Sequence, residues 1–147
     1  MTRHRVLPIS TRFWKPEDDY LKEIVDHLEG KIADNDIIVI SEKALATAQN
    51  NIVNESQVTP NLSAKFIAAC WMPKIWGYLL GPPCRLKRKL IGQIRHYPYE
   101  MGSRHKEVAL QYGGLLQALM FGSEAAIDGT NLPYARVSLP LNDAKSL

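Results

Sequence analysis

The sequence predicts an α+β fold, a mixed sheet of short strands with helices packed on it. Strand-like and helix-like segments follow one another without the regular alternation of a doubly wound sheet, and the helical segments differ in length. No internal repeat or low-complexity tract interrupts them. At 147 residues, with 46% hydrophobic and 22% charged, the chain has the size and composition of one compact domain able to bury a core.

The elements follow in order. Residues 6–9 read as a short strand. Pro16, followed by Glu17, Asp18 and Asp19, reads as a helix start, with proline in the first turn and acids at the positive end of the dipole. Tyr20, Ile24, Val25 and Leu28 then recur at helical spacing until Gly30, predicting a helix over about 17–29 with those residues buried. Asp34, Asn35 and Asp36 form a turn cluster. Ile37, Ile38, Val39 and Ile40 are β-branched and apolar, and predict a strand buried on both faces. Ser41 is placed to cap a short helix ending near Ala48, and a second strand is expected around Ile52 and Val53.

Thr59 and Pro60 open a further helix whose apolar residues run to Pro73, and Gly81-Pro82-Pro83 breaks the chain. Leu86, Leu90, Ile91 and Ile94 have helical spacing within a basic segment that Pro98 ends. Ser103 is placed to cap a helix with an apolar face of Val108, Ala109, Tyr112, Leu115, Leu116 and Leu119, at some cost from Gly113-Gly114. Extended pieces at 125–127 and 137–139 flank the turn cluster 128–133.

The net charge of +3 is too small to demand a nucleic-acid partner. Cys70 and Cys84 show neither metal-ligand spacing nor a disulfide framework, which fits a reduced, cytoplasmic setting. No signal peptide is expected at the basic amino terminus, and the most apolar window, 66–80, is shorter than the roughly 20 residues of a spanning helix. Walker-A, GxGxxG, HExxH and GxSxG patterns are missing.

Three polar clusters remain. Ser10, Thr11, Arg12, Phe13 and Trp14 combine hydroxyls, a guanidinium and aromatic rings suited to a phosphate and a planar base, though anchored loop aromatics explain them as well. Ser41, Glu42 and Lys43 follow the expected strand, where a lysine serves as a point charge on phosphate or simply as part of a solvated helix start. Asp128 and Asn131 pair a hard carboxylate, suited to Mg²⁺ or Mn²⁺, with a neutral amide, and are equally ordinary turn residues. His105, beside Lys106, is a proton-transfer candidate of the kind that more often bonds locally. The basic run from Arg85 to Arg95, following Trp71 and Trp76, suits RNA, an anionic membrane surface or a solvated helix face. The apolar stretch 71–80 is a candidate surface for self-assembly.

Three segments, in this order, resemble the coenzyme F420-0:L-glutamate ligase (F420-0 gamma-glutamyl ligase) family. Lys15-Pro16-Glu17-Asp18-Asp19-Tyr20 resembles its Lys-x-Gly-Asp-Asp-Leu helix start, and the segment 34–41 resembles its Asp-Gly-Asp-hydrophobic strand. Most specific is Ala126-Ile127-Asp128-Gly129-Thr130-Asn131-Leu132-Pro133, which is similar to the family's Gly-Ile-Asp-x-Ser-Asn-Val-Pro. The resemblance covers nearly the whole chain and implies one ligase-family domain over 1–147 with a helical insert over about 59–98.

The resemblance further implies that Asp128 binds the divalent metal, Mg²⁺ or Mn²⁺, and that Asn131 contacts GTP. Thr11, Arg12, Phe13 and Trp14 fall where the family's GTP-binding loop sits. Glu42 and Lys43 align with two of its nucleotide contacts. The lysine expected nearby aligns with Thr47, so Lys43 is the candidate to replace it. No residue is assigned to catalysis. The implied reaction is amide formation: GTP phosphorylates a carboxylate acceptor, and the amine of glutamate attacks the acyl phosphate. Small-molecule substrates, a homodimer or other homo-oligomer and a cytoplasmic setting follow, and nucleic acid is not an expected partner. The family's second metal motif and later nucleotide segment lie beyond the stretch 139–141. The chain is therefore expected to be the amino-terminal part of a longer enzyme, or a short relative without turnover.

Overall fold

The structure, a computed structural model, describes residues 5–122, 127, 132 and 135–141. In chain order it contains α1 (Tyr20–Leu28), α2 (Glu42–Ala48), β1 (Ile52–Asn54) with a 3-10 turn (Glu55–Gln57), and α3 (Leu62–Phe66), which runs into a π-helical segment (Ile67–Leu80). Then follow α4 (Arg88–Arg95), α5 (Tyr99–Leu119) and β2 (Arg136–Ser138). This is the expected α+β class. The two strands pair antiparallel, Ile52 opposite Ser138, Val53 opposite Val137 and Asn54 opposite Arg136. The chain divides into two compact units, Met1–Asn51 with Leu141–Leu147, and Ile52–Pro140.

In the first unit, α1 starts three residues later than expected. The Asp18 carboxylate accepts from the Lys15 backbone N–H at 2.6 Å and closes a turn in which Glu17 takes a left-handed φ of 69°. Asp19 is the true cap, accepting from Lys22 N–H at 3.1 Å. Tyr20 and Ile24 do face the small core of Trp14, Leu45 and Ala48, but Val25 is exposed and Glu23 takes a buried position. Gly30, at φ 69°, follows the end of α1 as its stop signal predicts.

Neither strand expected in this unit forms. Residues 6–9 and 37–40 carry no strand pairing, and Val6, Ile37 and Val39 are more than four-fifths exposed. A β-branched run favours extended backbone, but a strand exists only when a second one satisfies its N–H and C=O groups. The only described ladder is the one between β1 and β2. Ser41 does precede α2 as its cap residue, without a capping bond from its hydroxyl, and the helix buries Leu45, Ala46, Thr47 and Ala48.

The second unit holds the larger core, built on Ile67, Met72, Trp76, Ile94 and Val108 together with Val137 of β2 and Leu139 just after it. Asn61 caps α3 by accepting from Ala64 N–H at 2.8 Å, and its own backbone N–H donates to Glu107 Oε2 at 2.9 Å, tying α3 to α5. The helix does not stop at Pro73. It continues to Leu80 as a π-helix, whose wider turn accommodates the proline; at its end Gly81 N–H donates to Trp76 O, five residues back, at 2.8 Å. The stretch 71–80 is therefore largely core, with Met72, Trp76 and Gly77 buried and only its Tyr78 and Leu79 strongly exposed among the apolar residues.

Helix α5 begins at Tyr99, directly after Pro98, so Ser103 is internal and donates to Glu100 O at 3.0 Å rather than capping. Gly114, at φ 75°, kinks the helix, which splits the expected apolar face: Val108 and Ala109 are fully buried, whereas Tyr112, Leu115 and Leu116 are exposed. Cys70 and Cys84 are free thiols. Among the described residues no helix is long and apolar enough to cross a membrane.

Candidate functional site

The second unit contains a cleft of about 420 Å³, and its walls follow from local structure. The ladder continues one step past β1, with Glu55 N–H donating to Ala135 O at 3.0 Å. The Asn54 side chain then accepts from Ser56 N–H at 3.1 Å and from its hydroxyl at 2.7 Å, which fixes the 3-10 turn carrying Glu55. On α5, Met101, Gly102 and His105 share one face at helical spacing and form the opposite wall. Gly102 is required there, because a Cβ at this position would come within 2.2 Å of Tyr97 Cε1. Phe121, Gly122 and Ile127 complete the lining.

His105 Nδ1 and Glu55 Oε1 meet at 2.5 Å inside this cleft, with both side chains largely buried. The bond fixes the orientation of the imidazole in the cleft. Sequence reasoning singled out His105 and missed Glu55. Nothing local marks Glu55, since its partner lies 50 residues away.

The chain leaving α5 is clamped before it enters the cleft. Trp71 and Trp76 both donate their indole N–H to Leu119 O, at 2.9 and 2.7 Å, and the fully buried Lys106 donates to Met120 O at 3.1 Å. Trp76 also packs on the ring of Phe121 at 6.0 Å. These donors hold the carbonyl ends of α5 that have no helical partner. Their consequence is a fixed origin for Phe121 and Gly122 in the wall.

In the first unit, Trp14 of the first polar cluster packs on the helix that carries the second. Trp14 is buried against Leu45 and Ala48 of α2, the helix that also carries Glu42 and Lys43, and its ring lies 6.1 Å from Tyr20. Thr11, Arg12 and Phe13 are exposed beside it in sequence. Arg12 Nε donates to Glu23 Oε2 at 2.8 Å and its other nitrogen pairs with Asp18 at 3.3 Å. The hydrogen bond to Glu23 and then the charge of Asp18 hold the guanidinium above its ordinary pKa. Glu42 accepts from Leu141 N–H at 3.4 Å, and Lys43 is half-buried with its carbonyl bonded to the Thr47 hydroxyl at 2.8 Å. The third cluster, Asp128 and Asn131, lies outside the described residues.

Among the described residues no three His, Cys, Asp or Glu side chains gather to hold a metal ion.

Residues 8–147 match the family described as F420-0:Gamma-glutamyl ligase, and the chain belongs to that family. It is also 34% identical over 146 residues to the uncharacterized protein MJ1361 of Methanocaldococcus jannaschii, an alignment covering 96% of this chain and 49% of the relative. The chain thus spans about half the length of the curated relative it matches. No solved structure matches it.

Proposed function

We propose that this chain is a GTP- and divalent-metal-binding domain of the ligase family, acting in amide formation between a carboxylate acceptor and the amine of glutamate. One observation carries the reading: the family match spans the Asp128 and Asn131 turn, and Ile127, the residue before that turn, lines the cleft that holds the His105–Glu55 pair. Asp128 would hold the cation and Asn131 would bond the nucleotide. When bound, the cation supplies neutralisation of charge on the transferring phosphoryl group. In the first unit, Thr11, Arg12, Phe13 and Trp14, with Glu42 and Lys43, are the residues proposed as nucleotide contacts, Lys43 acting as a point charge on phosphate.

The chemistry balances in two steps. The γ-phosphoryl group of GTP moves to a carboxylate oxygen of the acceptor, leaving GDP and an acyl phosphate. The amine nitrogen of glutamate then attacks the acyl carbon, the C–N bond forms, the C–O bond to phosphate breaks, and inorganic phosphate leaves. The ammonium group of glutamate must lose a proton before its nitrogen can attack. His105, oriented by its hydrogen bond to Glu55, would take that proton, with Tyr97, Met101 and Phe121 bordering the reacting groups.

The test is equilibrium dialysis of GTP against the 147-residue chain with and without Mn²⁺. Binding should require the cation and fall at least tenfold in Asp128→Ala. Equal GTP affinity in the variant, or binding indifferent to Mn²⁺, would sink the reading.

A further inference from the structure

The chain carries no acidic residue from position 56 to position 99, yet it holds seven lysines and arginines there, five of them between 85 and 95. Arg85, Lys87, Arg88 and Lys89 are exposed at the start of α4, and none forms an ion pair with another described residue. Helix α4 turns Leu90, Ile91 and Ile94 towards the core, which leaves Arg88, Lys89, Gln93 and the following His96 on its outer side.

The outer side also contains Gly92, one turn from Arg88 and from His96. Glycine is the poorest helix former after proline, and packing does not demand it here, since a Cβ at Gly92 would meet nothing within 4 Å. A helix that is weakened without a packing reason, at the centre of a basic face, leaves an open notch where another backbone can approach. At the far end of α4, Arg95 stacks over the exposed ring of Tyr78 at 4.1 Å and donates to Gly77 O at 2.9 Å. The result is a track of cations, roughly 12 Å long by helical rise, that leads to an aromatic platform.

We propose that the outer face of α4 is a binding site for single-stranded nucleic acid, with the phosphates on Arg85, Lys87, Arg88 and Lys89, the sugar–phosphate backbone passing over Gly92, and a base against Tyr78. A positive track with an adjoining aromatic face is what sequence-tolerant binding of single strands requires. A membrane is the poorer occupant, because the outer face of α4 offers no apolar side chain for insertion between lipids. The proposal is independent of the ligase reading, for none of these residues belongs to the cleft or to the proposed nucleotide contacts.

The experiment is fluorescence anisotropy of a labelled oligouridylate with the full chain, its Arg88→Gln/Lys89→Gln variant and its Gly92→Gln variant. With about four phosphate contacts, raising salt from about 50 to about 200 mM should weaken wild-type binding roughly 50-fold, and the double variant should show about half that dependence on a logarithmic scale. Gly92→Gln should bind several-fold more weakly while melting no lower than wild type, which separates a filled notch from a damaged fold. Undetectable binding to the oligonucleotide, equal binding by the double variant, or binding confined to phosphatidylserine vesicles would each overturn the proposal.

Discussion

Glu55 and His105 join the turn after β1 to the first half of α5 through a hydrogen bond between Oε1 and Nδ1. Both groups are largely buried, so the bond links two elements and shapes the cleft between them. Glu55→Ala should lower unfolding free energy in urea by about 1–3 kcal/mol, the range for leaving a largely buried partner unsatisfied. The His105→Ala variant should be little worsened by adding Glu55→Ala, giving a coupling of about 0.5–3 kcal/mol in the double-mutant cycle. Strict additivity would show that the two side chains act separately.

That pair also marks the limit of what the sequence makes legible. Periodic apolar residues located α4 and most of α5, because a helix is satisfied by its own neighbours and its pattern is local. The run from Ile37 to Ile40 carries as strong a local signal, yet it is exposed, because a strand needs a partner that periodicity does not supply. Pro73 misled in the opposite direction: its missing N–H ends an α-helix, but a π-helical turn absorbs it. At the site, His105 stood out by residue type, whereas Glu55 and the ring of Tyr97 enter the cleft through contacts that only the fold creates.

The close approach of Tyr97 to Gly102 makes the cleft sensitive to one methyl group. Gly102→Ala would drive a Cβ into the ring edge, and the backbone of α5 cannot retreat without disturbing buried Ser103 and Lys106. The variant should lose about 1–3 kcal/mol, as overpacked sites do. Shortening the obstacle should repair it, so Gly102→Ala/Tyr97→Leu should melt above Gly102→Ala alone. A melting temperature for Gly102→Ala equal to wild type would contradict the contact.

Arg12 is exposed, but the carboxylate it holds is not. Glu23 Oε2 accepts from Arg12, while Oε1 is buried without a hydrogen-bond partner among the described residues. Arg12→Ala therefore leaves a buried carboxylate uncompensated and should destabilise the first unit, whereas Arg12→Ala/Glu23→Gln should regain much of the loss. The pH dependence has a definite sign. The raised pKa of Arg12 means that its contribution is fully present below the unfolded value and is lost only as pH rises through the still higher folded value. Wild type should show no alkaline loss from this group across the ordinary working range. If the single and double variants unfold at the same urea concentration, the pairing has no such role.

The exposed run Ile37, Ile38, Val39 and Ile40 gives a prediction about association. Unpaired extended backbone with apolar β-branched side chains is a template for another chain. Val39→Lys, at a position 89% exposed, should change folding stability by no more than about 0.5 kcal/mol while reducing any self-association seen in sedimentation velocity. An unchanged distribution of associated species would show that the run is not where copies meet.

The two indoles on Leu119 O test how α5 is held at its end. A carbonyl has two lone pairs, so each tryptophan can be lost singly with the acceptor still satisfied. Trp71→Phe and Trp76→Phe should each lose about 1 kcal/mol for the hydrogen bond, with any packing change added. The double variant should lose more than the sum, because the carbonyl then faces the penalty of an unmet acceptor, about 1–3 kcal/mol if it is sealed from water. Since Phe121 and Gly122 follow directly from this anchor into the cleft wall, hydrogen exchange should quicken there in the double variant before the core around Ile94 and Val108 responds. Uniform exchange across the second unit would mean that the clamp belongs to the global fold and does not act locally on the cleft.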